Sequence, residues 1–318
     1  MKKIVFVGPG GLGGPMAALL ARQGECEVSV LGRPGAHLDT IREQGLRVDG
    51  KAEFTIQLDA QDDAEKIGAC DFLVFAVKSQ HSAEAIERAK GIEVREAVLS
   101  VQNGVTKDDL LAEVFGRDKV IGAVSAMAGE RPEPGRVTWT DDCGTLFGEL
   151  GGGGSERIDS LVALFQRAGI DAERCDMILS ATWAKTTGWV PLGLIATLSK
   201  CKSGTIFSSP TLAAGIVTMV RELGTLAEAK GIPLIDMGAY WVKTWCQGPF
   251  ADAVKRVRSS PLARTASTHS GLQDIRKGNL TEFGACIGPI VKEAEQRGVA
   301  MPAVQVMYST LMALEKRQ

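Results

Sequence analysis

The chain has 318 residues, enough for two domains at about 150 residues each. Hydrophobic residues make up 45% and charged residues 23% of it, which is typical of a globular protein and excludes a disordered, collagenous or coiled-coil chain. A net charge of -2 provides no basic field for a polyanion, so we expect no nucleic-acid partner. Its cysteines and histidines are scattered and no Cys-x-x-Cys pair occurs, so we expect neither a disulfide framework nor a metal site.

The N-terminus superficially resembles a signal peptide, because Lys2 and Lys3 precede an uncharged stretch at residues 4–21. Gly and Pro interrupt that stretch where a spanning helix needs a continuous apolar run. No other stretch is apolar over the length that a membrane span requires. We therefore expect a cytoplasmic protein with no membrane partner.

Short apolar runs alternate with helical patterns in the first half of the chain. Runs rich in Val, Ile, Leu or Phe predict strands buried on both faces, at residues 4–7, 28–31, 72–77 and 98–101. Helical patterns follow them at residues 15–23, 36–44, 82–90 and 107–115. This alternation predicts an α/β fold, a Rossmann-type doubly wound parallel sheet.

The end of this half predicts further strands and one more helix. Strands are expected at residues 120–124, 137–140 and 145–147, with the last two forming a hairpin across Asp141, Asp142 and Gly144. The four glycines 151–154 precede a helix at residues 155–168 with Ser155 as its N-cap, and a strand at residues 171–175 is expected to complete the sheet. We therefore place the domain boundary after the glycines, with one domain at residues 1–176 and the other at 177–318.

Helical spacing dominates the second half, at residues 178–199, 212–230, 237–245 and 282–297. Gly231 and Gly298 follow two of these patterns, where glycines commonly terminate helices. The sequence therefore predicts an all-α C-terminal domain. Trp241 and Trp245 on one helix would suit a homodimer interface or an ordinary core equally well.

A Gly-x-Gly-x-x-Gly motif lies between the first predicted strand and the first predicted helix. It consists of Gly8, Pro9, Gly10, Gly11, Leu12 and Gly13. In this context the first glycine permits a tight turn, the second admits a pyrophosphate, and the third allows close packing of helix on strand. The motif predicts a dinucleotide site, and the alternative is an ordinary Gly-rich turn.

Three side chains after later strands extend this prediction. The second strand ends at Leu31-Gly32-Arg33, and an arginine there accommodates the 2′-phosphate of NADP, whereas an acid would bind the ribose of NAD. Lys78 and Asn103 follow two further strands and would line the same edge of the sheet. Each also has a plain alternative as a solvated loop residue or, for Asn103-Gly104, a turn.

In these residues the chain resembles the ketopantoate reductases (2-dehydropantoate 2-reductases), within the wider 6-phosphogluconate-dehydrogenase-like group of two-domain enzymes. The resemblance spans nearly the whole chain and rests on motifs in a fixed order. Beside the residues above, they are Trp183-Ala184-Lys185, Ser270-Gly271-Leu272-Gln273-Asp274-Ile275 and Thr281-Glu282.

The resemblance implies that NADPH reduces the ketone of a 2-oxo acid in pantothenate biosynthesis while Lys185 protonates the developing alkoxide. An ammonium suits that role, since it stabilises negative charge on oxygen and supplies a proton. Without the resemblance, the sequence favours a different interpretation of Lys185, namely a helix lysine whose ammonium group extends to solvent. The family's other roles fall on Asn103 for nicotinamide and substrate, Ala128 for the cofactor, and Ser270 for the substrate carboxylate. Glu282 would contact the cofactor or the substrate. Glu282 would alternatively be a helix N-terminal carboxylate.

The chain departs from the family where substrate-binding asparagines are expected after the lysine. Trp189, Gly193 and Ser203 stand there instead. Trp189 cannot accept a hydrogen bond and Gly193 has no side chain, so two amide contacts to the substrate are absent. We expect a reshaped, more apolar pocket that prefers a branched or aromatic 2-oxo acid. The motif after Thr281-Glu282 also differs, with Phe283-Gly284 in place of the family's Ile-Asp.

Two other functions compete with a ketopantoate reductase. One is a D-2-hydroxy acid dehydrogenase on the same scaffold, acting on branched or aromatic 2-oxo acids. The other is a regulatory protein that binds NADPH without turnover, which the missing asparagines would suit. Lys185, Ser270 and Glu282 argue against the regulator, because a protein that only binds NADPH has no need of a proton donor.

Overall fold

The computed structural model describes residues 1–315 and divides the chain into two compact units, Met1–Ile178 and a second one from Leu179 onward. Within the described residues the first unit holds ten strands. They are β1 (Lys2–Val7), β2 (Cys26–Leu31), β3 (Leu46–Gly50), β4 (Phe54–Ile56), β5 (Asp59–Gln61), β6 (Ala69–Phe75), β7 (Glu93–Ser100), β8 (Ile121–Glu133), β9 (Arg136–Glu149) and β10 (Ala172–Arg174).

The helices of the first unit lie between these strands. They are α1 (Gly13–Gln23), α2 (Ala36–Gln44), α3 (Ala64–Ile67), α4 (Ser82–Ala89), α5 (Lys107–Phe115) and α6 (Glu156–Arg167). Short 3-10 helices lie at Ser79–His81 and Arg117–Lys119. The side chain of Ser155 accepts a hydrogen bond from the Ile158 amide, which confirms it as the N-cap of α6.

The first sheet is parallel throughout, in the order β5-β2-β1-β6-β7. Along β1, Ile4 and Phe6 belong to one buried cluster and Val5 and Val7 to another, because successive side chains point to opposite faces. Both faces are therefore covered, and the predicted Rossmann-type sheet is confirmed. Its β6 ends two residues earlier than expected, at Phe75.

A second sheet, which the sequence did not predict, has the order β10-β9-β3-β4, with β8 paired to β9. The predicted hairpin between residues 137–140 and 145–147 is wrong, because β9 runs through both segments as one strand. Gly144 has φ +96° and the pairing of β8 with β9 is irregular, so the turn-like residues Asp141 and Asp142 occupy bulged strand rather than a turn. The actual hairpin turn lies at residues 134–135.

The strand expected at residues 171–175 exists as β10, but it does not complete the first sheet. It pairs in parallel with β9 in the second sheet, through Ala172 and Thr145. The prediction failed because a strand's own residues do not specify which neighbour it pairs with.

The second unit is helical, which confirms the predicted all-α half. Its helices are α7 (Ile178–Ser199), α8 (Ser203–Ser208), α9 (Pro210–Ala229), α10 (Val242–Cys246), α11 (Phe250–Ser259), α12 (Ser270–Arg276), α13 (Phe283–Arg297) and α14 (Pro302–Glu315), with a 3-10 helix at Pro261–Arg264. Gly231 and Gly298 have φ +71° and +68°, as expected of residues that terminate helices. None of the helices within residues 1–315 is long and apolar enough to cross a membrane.

The helix expected at residues 237–245 is shorter than predicted. Only Val242–Cys246 is helical, because Met237 and Tyr240 exchange backbone hydrogen bonds in an isolated β-bridge. Trp245 is fully buried and packs against Phe207, so it belongs to the core of the helical unit.

Candidate active site

Loops from four strands meet at the carboxyl edge of the first sheet. The Gly8 amide donates to the Leu31 carbonyl oxygen at 2.9 Å, which ties the loops after β1 and β2. The Ser79 hydroxyl donates to the Asn103 carbonyl oxygen at 3.0 Å, which ties the loops after β6 and β7. Each of Gly8, Arg33, Lys78 and Asn103 therefore lies just beyond a strand at this edge, where ligands bind in open α/β sheets.

The glycine loop has the geometry of a pyrophosphate cradle. Gly8 has φ +97°, and a Cβ there would lie 2.5 Å from Val77 Cγ1. A Cβ on Gly13 would lie 2.5 Å from the Gly8 carbonyl oxygen, so α1 packs tightly on the turn. In contrast, no atom lies within 4 Å of a Cβ built on Gly10. The open space at Gly10, just before the N-terminus of α1, fits an anionic group.

Strand β8 supports this loop from the side. A Cβ on Gly11 would lie 2.5 Å from the Gly129 carbonyl oxygen, so the two backbones are in direct contact. Ala128, expected to contact the cofactor, is exposed on β8 beside Gly129. Sequence reasoning missed Gly129, because nothing in the local pattern of a strand indicates which loop it will touch.

Arg33 lies after β2 with its side chain 61% exposed. One guanidinium nitrogen lies 3.8 Å from a carboxylate oxygen of Glu84 on α4, which is a weak ion pair in solvent. Since the side chain is mostly exposed and its contact with Glu84 is weak, it can offer donors to a phosphate. Lys78 is likewise exposed at this edge.

A buried hydrogen-bond network fixes the segment that carries Asn103. Gln102 accepts from the Ser100 hydroxyl and donates to the Ser82 hydroxyl, both at 2.8 Å. Gly104 has φ +99°, a conformation that favours glycine, so the chain turns immediately after Asn103. The position of Asn103 is therefore set by its neighbours on both sides.

In the second unit, Lys185 lies on α7, a long helix that is almost entirely buried. Every residue in the stretch 181–190 is buried except Lys185, which is half-buried. Trp183 next to it is 3% exposed, with the Lys230 ammonium 5.8 Å from its ring centroid. The helix thus presents one cationic group on an otherwise uncharged and buried stretch, as suits a proton donor to an alkoxide.

An aromatic cluster connects the three segments that carry the remaining predicted residues of this unit. The Trp189 ring lies 5.1 Å from the rings of both His269 and Phe283. His269 directly precedes Ser270, and Phe283 directly follows Glu282. The cluster therefore holds α7 and the starts of α12 and α13 together, with Trp189 one turn beyond Lys185.

Gly193 lies beneath the same cluster. A Cβ there would lie 2.6 Å from His269 Cε1 and 2.6 Å from Phe283 Cζ. The space that a side chain would need is occupied by two aromatic rings, so Trp189 and Gly193 are packed as parts of a buried apolar wall. His269 and Phe283 were missed in the sequence, although both adjoin residues of recognised motifs.

His269 is buried as a neutral ring. Its Nδ1 accepts a hydrogen bond from the Gly271 amide at 3.1 Å, which requires that nitrogen to be unprotonated. Burial lowers the pKa of His269 to about 4, with the Trp189 carbonyl opposing the shift. The aromatic wall is therefore uncharged at neutral pH.

The other predicted substrate and cofactor residues differ in exposure. Ser203 is 2% exposed, and its hydroxyl oxygen accepts from the Ser267 hydroxyl at 3.1 Å. Ser270 is exposed at the first position of α12, and Glu282 is half-buried at the N-cap of α13. Within residues 1–315, no cluster of three or more His, Cys, Asp or Glu side chains could hold a metal ion.

Comparison with known families decides the membership of the chain. The sequence model described as ketopantoate reductase PanE/ApbA matches residues 4–152, and that of the C-terminal part of the same family matches residues 162–315. The chain belongs to the ketopantoate reductase family. The resemblance noted in the sequence is thereby confirmed over both units.

Individual relatives agree in length as well as in sequence. The chain is 29% identical to a 2-dehydropantoate 2-reductase of Halobacterium salinarum, over 99% of each chain. It is 27% identical to that of Pyrococcus horikoshii, over 98% of this chain and 97% of the relative.

Solved structures show the same fold. A ketopantoate reductase from Ralstonia eutropha is 25% identical with a TM-score of 0.82, over 99% of each chain. A D-mandelate dehydrogenase in complex with NADH and anilino(oxo)acetate has a TM-score of 0.85 at 19% identity, over 99% of this chain and 98% of that one. At that identity the second likeness shows the fold alone.

Proposed function

We propose that this chain is an NADPH-dependent 2-oxo acid reductase that converts 2-dehydropantoate to pantoate. The observation that carries the proposal is the match of both family models, together covering nearly the whole chain. The glycine cradle, with open space at Gly10 and an exposed Arg33 after β2, supports an NADP-type cofactor. The matched relatives are named for this activity.

In this reaction some residues of the chain bind the substrate and the cofactor, and one residue protonates the product. When bound, NADPH would supply the hydride that reduces the ketone carbon. Lys185 stabilises the negative charge that develops on the ketone oxygen and then protonates it. Ser270 holds the substrate carboxylate, Asn103 orients the nicotinamide end, and Glu282 contacts the cofactor.

A second candidate substrate class follows from the aromatic wall. Trp189 and Gly193 stand where the family places amides, and the space is filled by His269 and Phe283. A site without amide partners loses its discrimination for a hydroxylated substrate and tolerates an apolar one. The second candidate is therefore a D-2-hydroxy acid dehydrogenase that acts on branched or aromatic 2-oxo acids.

A substrate panel separates these functions. Purified protein is assayed for NADPH oxidation with ketopantoate, branched 2-oxo acids and aromatic 2-oxo acids, with NADH as the alternative cofactor. The proposal expects the highest kcat/KM with ketopantoate and NADPH. Higher kcat/KM with an aromatic or branched acid selects the second candidate. Tight NADPH binding without turnover of any acid refutes both and indicates a regulatory protein.

A further inference from the structure

His37 links the glycine loop to the hairpin of the second sheet. It is the second residue of α2 and is half-buried. Its Nε2 lies 2.6 Å from the carbonyl oxygen of Pro9, inside the Gly-x-Gly-x-x-Gly motif. Its Nδ1 lies 2.9 Å from the amide nitrogen of Gly135, in the turn between β8 and β9. One imidazole therefore joins two segments that lie far apart in the sequence.

The partners of the ring define its protonation state. The Gly135 amide can only donate, so Nδ1 must accept and carry no proton. The Pro9 carbonyl can only accept, so Nε2 must carry the hydrogen. Both bonds therefore exist only in the neutral Nε2–H tautomer. Burial lowers the pKa of His37, opposed by the Pro9 carbonyl and assisted by the charge of Arg131, which favours the neutral ring.

The bond to Pro9 acts on the peptide that precedes the open position at Gly10. The Pro9 carbonyl and the Gly10 amide belong to one planar peptide group. That amide donates to the Gly8 carbonyl oxygen at 2.8 Å, while His37 donates to the carbonyl at the other end. Hydrogen bonds at both its carbonyl oxygen and its amide therefore hold the Pro9–Gly10 peptide group. They fix the direction of the backbone at the point where we place the pyrophosphate.

We propose that His37 is a positioning residue for the cofactor, which holds the Pro9–Gly10 peptide in its binding conformation through the hydrogen bond from Nε2 to the Pro9 carbonyl oxygen. This inference rests on the proposed function, since it assumes that the glycine loop binds NADPH. Contact between Gly11 and Gly129 gives the loop a second, independent support from the same hairpin.

Two substitutions separate the two hydrogen bonds of His37. In His37→Gln the side-chain amide nitrogen takes the approximate place of Nε2 and retains the bond to Pro9, whereas the acceptor for Gly135 is lost. In His37→Asn the side-chain oxygen takes the place of Nδ1 and retains the bond from Gly135, whereas the donor to Pro9 is lost. Asp39→Asn on the same helix is the control, because Asp39 is exposed and its carboxylate pairs with Arg42 at the surface.

The experiment measures two quantities on each variant: the Kd of NADPH, and hydrogen–deuterium exchange of the peptide covering residues 8–14 without cofactor. We expect His37→Asn to weaken NADPH binding by about 5- to 10-fold and to speed exchange of the loop, because one loop hydrogen bond is lost. His37→Gln and Asp39→Asn should stay within about twofold of wild type on both measurements, and thermal melting verifies that each variant folds.

Unchanged exchange and unchanged NADPH affinity in His37→Asn would overturn the inference. Equal losses in the Gln and Asn variants would also overturn it, because they would indicate a general structural role instead of the bond to Pro9. Failure of the proposed function has a different signature, namely a wild-type protein that does not bind NADPH. In that case the exchange of residues 8–14 still decides whether His37 holds the loop.

Discussion

The backbones of Gly11 and Gly129 lie in direct contact, so the tip of the glycine loop rests on strand β8 with no room for a side chain on either residue. A Cβ on Gly11 would lie 2.5 Å from the Gly129 carbonyl oxygen, and one on Gly129 would overlap the Gly11 carbonyl oxygen. Backbone atoms cannot give way as the end of a flexible side chain can. The loop and the strand must therefore move apart if either position gains a methyl group.

Gly129→Ala should accordingly lower both stability and cofactor binding. Overpacking of this kind costs about 1 to 3 kcal/mol of the free energy of unfolding. We expect a matching loss in denaturant melts, with weaker NADPH binding in the folded fraction. Gly151→Ala is the control, because no atom lies within 4 Å of a Cβ there. Normal stability of Gly129→Ala would show that the two segments are not in contact.

Gly10→Ala should weaken cofactor binding without lowering the stability of the protein. Since no atom lies within 4 Å of a Cβ at Gly10, the free protein accommodates the methyl group and its melting temperature should stay unchanged. The same methyl group would stand where we place the pyrophosphate, so the Kd of NADPH should rise by about tenfold or more. Isothermal titration of wild type and variant measures the difference. NADPH affinity equal to that of wild type would exclude the cofactor from this loop.

Replacing Arg33 should change which cofactor is used. Arg33→Ala would remove the proposed charge-assisted contact to the 2′-phosphate, so kcat/KM with NADPH should fall about 10- to 100-fold while that with NADH stays nearly constant. Glu84→Gln, which removes the carboxylate 3.8 Å from Arg33, is the matched control and should preserve the preference for NADPH. Parallel losses with both cofactors would argue against a 2′-phosphate contact.

Lys185→Ala should abolish turnover and spare cofactor binding. Loss of a general acid lowers kcat by about 100-fold or more. The Kd of NADPH should remain near that of wild type, because in the proposed reaction the ammonium contacts the substrate oxygen and not the cofactor. Lys292→Ala, at an exposed position of α13, is the control for loss of a helix lysine. Residual kcat close to wild type in Lys185→Ala would remove this lysine from the chemistry.

Acidification should destabilise the second unit through His269. Burial lowers the pKa of His269 to about 4, below its ordinary 6.5, so in this pH range the unfolded chain binds a proton that the folded chain does not. Stability therefore falls as pH decreases through this window, by roughly 3 kcal/mol in total. His269→Asn keeps an acceptor for the Gly271 amide and should lose this part of the pH dependence, as measured by chemical denaturation. An identical pH slope in the two proteins would contradict the buried neutral ring.

The parallel sheet and the glycine loop could be predicted from the sequence because their signals are local. A strand such as residues 4–7 is apolar throughout, and the motif at Gly8 follows it directly. The second sheet could not be predicted in the same way. Gly144 and its acidic neighbours have the composition of a turn, and only the long-range pairing of β8 with β9 makes them part of a strand.

The candidate site, like the fold, could be predicted only where the signal is local in the sequence. Residues that belong to motifs, such as Arg33 and Lys185, could be proposed directly from the sequence, and their roles stay predictions. Residues that act through distant contacts were not, because His37 contacts Gly135 and Gly193 is covered by Phe283 only in the folded chain. The role of Lys185 is a proposal that its substitution by alanine tests.

Transfer of deuterium tests the central claim most directly. The protein is incubated with ketopantoate and NADPH that carries deuterium at the transferable position of the nicotinamide, and the product is analysed by mass spectrometry. A 2-oxo acid reductase should form pantoate with one deuterium on the carbon that was the ketone, and Lys185→Ala should form little of it. Absence of deuterated hydroxy acid from ketopantoate and from every branched and aromatic 2-oxo acid, despite bound NADPH, would contradict the account.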